Sequence, residues 1–247
     1  MAKVAVVTGA GGGVGRAVVL KLAAAGWDVA LVGRTNESLQ ETIRLGRSQS
    51  TKTKLVAFTC DIADEASVNK MADAVRKELG DPSVVVNNAG INLKKRHFKD
   101  VSNEDYRRVV DANLNGAFYC TQAFLPAMRA AKAGTIVNVV SDGGMFGNPM
   151  SGPSYIASKF GMNGLTQAIN AEERKNGIRG VAICPGEIDT PMLEGRPIPP
   201  PPEARARMLQ AEDVADCIML AIQLPQRALI EQLLVRPTVP SGAPVAS

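Results

Sequence analysis

Apolar positions along the chain follow two alternating patterns. Short, unbroken apolar runs rich in Val recur at Lys3–Thr8, Asp28–Gly33, Lys54–Cys60, Ser83–Asn87, Thr135–Val140, Arg179–Cys184 and Leu229–Val235. Runs of this length without polar interruption read as strands buried on both faces. Between them, apolar residues recur at helical spacing. One such segment starts at Arg16, with Val18, Leu22 and Ala25 on a stripe that Gly26 ends. Others run from Asn36 to about Arg47, Glu65 to Leu79, Asn103 to about Ala131, Pro153 to about Lys175, and Glu212 to Leu224. Strand–helix alternation predicts an α/β fold. It is a single-domain, Rossmann-like, doubly wound parallel sheet of about seven strands with helices on both faces, over residues 1–237. Pro197 to Pro202 is expected to be an extended loop in polyproline II form. Residues 238–247 are small and polar and are expected to be a flexible tail.

In such a sheet, ligands bind beyond the carboxyl ends of the strands. Here those positions are rich in glycine and polar residues: Gly9 to Gly15, Arg34, Asp61, Asn88-Ala89-Gly90, Ser141 and Pro185-Gly186. The first is the sharpest signal. A buried strand, the turn Thr8-Gly9-Ala10-Gly11-Gly12-Gly13-Val14-Gly15 and an amphipathic helix follow in direct succession. Gly9 permits a tight turn, Gly13 the approach of a pyrophosphate, and Gly15 close packing of helix on strand. The helix N-terminus then offers unpaired N–H groups and a partial positive charge to phosphates. The competing reading is a flexible glycine linker, but linkers are not usually wedged between a buried strand and an amphipathic helix.

Composition narrows the partners. The chain has 247 residues, 45% hydrophobic and 21% charged, with a net charge of +4 from scattered Lys and Arg. Nothing in it asks for nucleic acid or a membrane surface, and no apolar run reaches the ~20 residues of a membrane helix. The four cysteines, Cys60, Cys120, Cys184 and Cys217, are far apart in apolar segments and read as buried free thiols of a reducing compartment. The single histidine, His97, has no neighbouring ligands, so no metal site is expected. A first strand at Lys3 leads us to expect no signal peptide and a cytoplasmic protein. Lys94-Lys95-Arg96 reads as a solvated face, with attraction of an acidic substrate as the alternative. The same alternative applies to Arg196, Arg205 and Arg207.

Tyr155 and Lys159 are four residues apart near a helix start marked by Gly152-Pro153, so they share a face. Alone, such a pair is usually a surface feature. Here it follows Ser141, at a strand end on the ligand edge, and lies among the small residues Ala157, Ser158, Gly161 and Gly164. Taken together, the chain resembles a short-chain dehydrogenase/reductase, in the NADP-preferring branch of about 250 residues. Thr8-Gly9-x-x-x-Gly13-x-Gly15 matches that family's cofactor motif, and Asn87-Asn88-Ala89-Gly90 its fourth-strand motif. Asn113, Ser141 and Tyr155-x-x-x-Lys159 match its catalytic tetrad, and Pro185-Gly186 with Thr190 its nicotinamide segment.

The resemblance implies a hydride transfer between nicotinamide and a carbonyl or secondary alcohol, with Tyr155 as general acid/base. Lys159 is expected to lower the Tyr155 pKa and to hold the nicotinamide ribose. Ser141 is expected to bond the carbonyl oxygen, and Asn113 to bend its helix and hold a water that relays protons. Implied cofactor contacts are Thr8, Gly9, Gly11, Gly12, Gly13, Val14, Gly15, Arg34, Asp61, Ile62, Asn88, Ala89, Gly90, Tyr155, Lys159, Pro185, Gly186, Ile188 and Thr190. Gly33 stands where NAD-binding relatives carry an acid, and Arg34 follows it, so NADP(H) is favoured over NAD(H). A substrate lid is expected at about 190–210. Relatives imply a small-molecule substrate and a homo-oligomer, tetramer or dimer, packed through the two long helices. Two features depart from the family. The Ser141-to-Tyr155 spacing is one residue longer than usual, with the extra residue placed in Asn148 to Ser154, and Asp142 follows Ser141. A non-catalytic NADP(H)-binding sensor or scaffold is the alternative function, which the intact Ser141, Tyr155 and Lys159 disfavour.

Overall fold

The computed structural model describes residues 3–49 and 52–240; of the expected tail 238–247, residues 241–247 lie outside the described residues. Seven strands form one parallel sheet: β1 (Val4–Thr8), β2 (Asp28–Gly33), β3 (Leu55–Thr59), β4 (Val84–Asn87), β5 (Gly134–Val139), β6 (Ile178–Pro185) and β7 (Gln232–Val235), in the spatial order β3-β2-β1-β4-β5-β6-β7. Every pairing is parallel, from Leu55 against Val29 at one end to Pro185 against Val235 at the other. Successive residues of one strand serve opposite faces. Ala5 and Val7 face one hydrophobic cluster, and Val6 faces the other. Both faces are covered, which is why the strands read as unbroken apolar runs rather than as alternating ones.

The first face is covered by α1 (Gly13–Ala24), α2 (Asn36–Arg47) and α8 (Ala211–Gln223), which bring Val18, Leu22, Leu39, Ile43 and Ile218 into its cluster. The second carries α3 (Glu65–Leu79), α5 (Gly116–Ala131) and α6 (Pro153–Glu173), with Val68, Val75, Phe124, Met128 and Ile169 in its own. Among the described residues no helix is long and apolar enough to cross a membrane.

Several boundaries differ from the sequence expectation for local reasons. α1 begins at Gly13, ahead of the apolar stripe that Arg16 was expected to open. The single long helix expected over Asn103 to Ala131 is α4 (Asn103–Val110), one π-helical turn (Asp111–Asn115) and then α5. Inserting such a turn into a helix displaces the side chains on it, and this one carries Asn113. Pro202 does not extend the proline loop. It opens a one-turn helix, α7 (Pro202–Arg205), after Pro201 in polyproline geometry. β7 is shorter than expected, because pairing with β6 starts at Gln232, opposite Ala182. Leu229 and Ile230 instead pack against the first cluster.

Two helices of the second face, α5 and α6, are tied by charge. Glu173, buried at the end of α6, accepts from Arg129 of α5 (Nε to Oε2, 3.0 Å). The bond to Arg129 holds its carboxyl at about 2, well below the ordinary value of 4.5. The stabilisation is present in full above pH 4.5 and is lost as pH falls toward 2. Solvent reaches nearly half of Arg129 and screens the pair, so Glu173→Gln is expected to cost about 1–2 kcal/mol at neutral pH. Melting curves against pH check this: the gap between parent and variant closes between pH 4.5 and 2.

Candidate active site

The carboxyl ends of β1, β4, β5 and β6 enclose a cavity of about 270 Å³. Gly9, Gly12, Gly13 and Val14 line it on the β1 side and Asn88, Ala89 and Gly90 on the β4 side. Ser141, Tyr155 and Lys159 close the middle, and Pro185, Gly186, Ile188 and Thr190 the far wall. A second cavity of about 240 Å³ shares Gly9, Gly12, Ala89 and Gly90 with the first. It continues past Gly11 to Arg34, Asp61 and Ile62. Of the residues that sequence assigned to a cofactor, Thr8 and Gly15 line neither cavity. Thr8 is wholly buried and acts through others: its hydroxyl accepts from the N–H groups of Asn88 and Ala89, each at 3.0 Å. Gly15 lies against the Gly9 carbonyl and the Asn88 amide.

This groove fits a dinucleotide. Gly12 is the N-cap of α1 and gives it no side-chain cap, so first-turn N–H groups are left for a ligand. A methyl group placed on Gly12 meets nothing within 4 Å, which leaves open space where a phosphate would lie. Arg34 is exposed on the rim of the second cavity. Asp61 lines that cavity and also closes a turn, accepting from the Ala63 N–H at 3.1 Å.

The side chains beside Tyr155 are held from three directions. Ser141 leaves the end of β5, and its Oγ accepts from the Gly143 N–H at 3.0 Å. Lys159 is one turn along α6 from Tyr155 and is buried, its Nζ 5.8 Å from the Tyr155 ring centroid. Asn113 sits on the π-helical turn. Its Oδ1 accepts from the Ile91 N–H at 2.7 Å, and its Nδ2 donates to the Ile91 carbonyl at 3.0 Å and the Ser158 hydroxyl at 3.1 Å. Ser158 in turn donates to the Tyr155 carbonyl at 2.8 Å. Asn113 thus fastens the loop after β4 to the helix that carries Tyr155. Ser158 was legible in the sequence as a small residue, without its role as a link.

Burial raises the Tyr155 phenol above its ordinary value of 10. The hydrogen bond with Ser141 opposes this, Asp142 adds to it, and Arg196 and Arg96 oppose it. The expected lowering by Lys159 is not what the geometry delivers. The Lys159 ammonium turns to β5, donating to the Val139 carbonyl at 2.8 Å, and burial brings its own pKa down to about 8.

The basic residues near the entrance also differ from expectation. Lys94 and Lys95 are exposed, but Arg96 is buried and is no solvated face. Its guanidinium donates to the carbonyls of Leu93, Met150 (3.4 Å) and Gly195 (2.7 Å). It therefore joins the loop after β4, the turn at 148–151 and the segment around Gly195. Arg196 pairs with Glu187 at 3.0 Å, and Arg205 with Asp189 and Glu194 at 2.6 and 2.7 Å. Sequence reasoning also passed over Thr35 and Ser38 in the second cavity, and Val139 and Val140 in the first, where Met192 belongs to the segment expected to be a lid. Strand-end position was the one signal available for the two valines.

Comparison with known proteins agrees with this architecture. The family model described as short chain dehydrogenase matches residues 3–198. An uncharacterized oxidoreductase of Staphylococcus epidermidis is 31% identical over 235 residues, 95% of this chain and 97% of that protein. The alcohol dehydrogenase of the archaeon Thermococcus sibiricus, complexed with 5-hydroxy-NADP, superposes with a TM-score of 0.86 at 26% identity over 100% of both chains. An actinorhodin polyketide ketoreductase with NADPH superposes at 0.87 and 30% identity over 96% of each. Family model, full-length relative and site architecture lead to one conclusion: the chain is an oxidoreductase belonging to the short-chain dehydrogenase/reductase family.

Proposed function

We propose that the protein is an NADP(H)-dependent alcohol dehydrogenase or carbonyl reductase in which Tyr155 is the general acid/base. The observation that carries this reading is the convergence of Ser141, Tyr155 and Lys159 on the cavity that begins at the uncapped N-terminus of α1. Bound along the glycine turn, a nicotinamide dinucleotide supplies the hydride that a carbonyl carbon takes up. The chain's own residues position the substrate and move the proton. Tyr155 donates its phenol proton to the substrate oxygen in reduction and its phenolate accepts one in oxidation. Its raised pKa keeps the phenol protonated at neutral pH, the form that reduction needs. Ser141 donates a hydrogen bond to the same oxygen, where negative charge develops. Lys159, with a pKa near 8, is placed to hold ribose hydroxyls and to exchange a proton near neutrality. Asn113 holds the π-helical turn and α6 in register through Ile91 and Ser158.

The adenosine end supports a preference for NADP(H). Gly33 leaves no carboxylate to repel a 2′-phosphate, and Arg34 offers it a guanidinium. Arg34→Leu is expected to lower kcat/KM with NADPH by about 10–100-fold, the worth of one charge-assisted hydrogen bond, and to leave NADH within about twofold. Equal losses with both cofactors would remove Arg34 from this role. The lining beside Tyr155 is largely apolar, with Pro191 and Met192 from the lid, which supports a small-molecule substrate. Exposed Phe118 on α5 and Phe160 on α6 support a homo-oligomer packed through those helices. The deciding experiment follows NADPH and NADH oxidation with aldehydes, ketones, 3-oxo acids and diketones. Turnover that disappears in Tyr155→Phe supports the reading. NADPH binding without turnover across that panel sinks it.

A further inference from the structure

Asp142 was a charge without an explanation in the sequence, and the structure gives it a partner from the far end of the chain. Asp142 opens the short turn after β5. Its Oδ1 lies 3.4 Å from the Ser141 hydroxyl and accepts from it. Its Oδ2 accepts from Arg236 Nε at 3.3 Å and Nη2 at 3.2 Å. Arg236 directly follows β7. Its side chain passes Gly186, where a methyl group would stand 3.1 Å from the Arg236 Cγ. The guanidinium ends 5.1 Å from the centre of the Phe146 ring, a cation–π distance. The backbone makes the same connection, because the Gly186 N–H donates to the Val235 carbonyl at 2.8 Å. The last strand is therefore fastened to both loops that flank Tyr155.

Hydrogen-bond direction makes this arrangement consequential. A serine hydroxyl has one proton to give. The Ser141 oxygen accepts from the Gly143 N–H, and unless a substrate oxygen takes it the Ser141 proton has Asp142 Oδ1 within reach at 3.4 Å. The same hydroxyl also bonds Tyr155, where it favours the phenolate, so Asp142 competes for the proton that Ser141 gives to an oxygen in the cavity. A carboxylate alone at this position would hold the serine proton tightly and would disfavour negative charge on Tyr155. The other charges acting there are cationic: Arg96 from the loop after β4 and Arg196 from the 190–210 segment; the Lys159 ammonium on α6 is turned to the Val139 carbonyl. Asp142 is the acid that opposes them, and Arg236 is the cation in contact with Asp142.

We propose that Asp142 and Arg236 act together as positioning residues for the reaction: the pair directs the Ser141 hydroxyl and presents Tyr155 with a carboxylate whose charge is already partly offset. The proposal rests on the roles given above to Tyr155 and Ser141. The test is the pH dependence of kcat/KM for NADPH-linked reduction, using the best carbonyl of the panel above. Reduction needs the protonated phenol, so its rate falls on the alkaline side as Tyr155 ionises. Asp142→Asn keeps an acceptor for Ser141 but removes the charge, and is expected to move that limb down by about one pH unit. Arg236→Met leaves the carboxylate unopposed and is expected to move the limb up by about half a unit. Arg236→Lys restores the parent profile. In the double variant no carboxylate charge remains for Arg236 to offset, so it matches Asp142→Asn alone.

A role confined to holding loops together would change melting temperature or kcat without moving the limb. Unmoved limbs in Asp142→Asn and Arg236→Met, with turnover still abolished by Tyr155→Phe, overturn this proposal and leave the reaction assignment standing. Absence of turnover by the parent protein across the panel overturns both. If Arg236→Met fails to fold, Asp142→Asn and Arg236→Lys still decide the outcome: a limb that does not move down in the former rejects the proposal.

Discussion

Tyr155→Phe is expected to lower kcat by about a thousandfold while leaving the Kd for NADPH within about threefold. Phenylalanine keeps the ring and its packing and deletes the hydroxyl that faces Ser141. On the proposed reading the hydroxyl carries the transferred proton, so its loss is expected to fall on the chemical step. Cofactor binding is expected to rest largely on the other groups that line the cavity: the glycine turn, the loop after β4 and the Pro185-Gly186 wall. The kinetic signature is therefore a fall in kcat and kcat/KM together. Stopped-flow single turnovers with bound NADPH separate that from slow product release. A variant that retained more than about a tenth of parent kcat would show that another group supplies the proton.

The second large effect separates two glycines of the same turn. At Gly15 an added methyl group would stand 2.2 Å from the Gly9 carbonyl oxygen and 2.6 Å from Asn88 Nδ2. Both atoms belong to the framework: Asn88 Nδ2 donates to the Thr8 carbonyl at 2.9 Å and so bridges β1 and the end of β4. Gly15→Ala must push these segments apart, at an expected cost of about 3 kcal/mol or more in stability and about a hundredfold or more in NADPH affinity. Gly12 is the contrasting case. Its φ of −173° is extended backbone open to any residue, and a methyl group there meets no protein atom. Gly12→Ala is expected to melt within about 2 °C of the parent protein and to bind NADPH at least about tenfold more weakly, because the methyl occupies phosphate space. Calorimetry on the two variants reads both quantities. Unchanged NADPH affinity in Gly12→Ala would mean that the phosphates lie elsewhere.

What could be read from the sequence was what is encoded locally. The run Lys3 to Thr8, the turn after it and the stripe Val18, Leu22, Ala25 identify β1, the ligand loop and α1, because strand and helix each impose a spacing on apolar residues. Connectivity then puts Ser141, Asn88-Ala89-Gly90 and Pro185-Gly186 on one edge of the sheet, and the structure brings them around one cavity. Contacts between distant segments leave no such trace. Arg96 sits beside two exposed lysines and shares their appearance, but its burial depends on the Gly195 carbonyl 99 residues later. The direction of the Lys159 ammonium depends on a carbonyl of β5. The π-helical turn differs from α-helix by one residue of register, which an apolar stripe does not resolve. Thr8 matches a cofactor motif, yet its hydroxyl serves the chain itself.

The buried guanidinium of Arg96 also bears on how such a scaffold changes its substrate. Among the described residues its hydrogen bonds all go to main-chain carbonyls, those of Leu93, Met150 and Gly195. Main-chain acceptors survive replacement of the side chains that bear them. The tether of the segment around Gly195 is thus indifferent to that segment's sequence. Residues such as Met192 and Ile198 are free to diverge under selection for new substrates while the rim stays anchored, and specificity can drift without a matching loss of structural order.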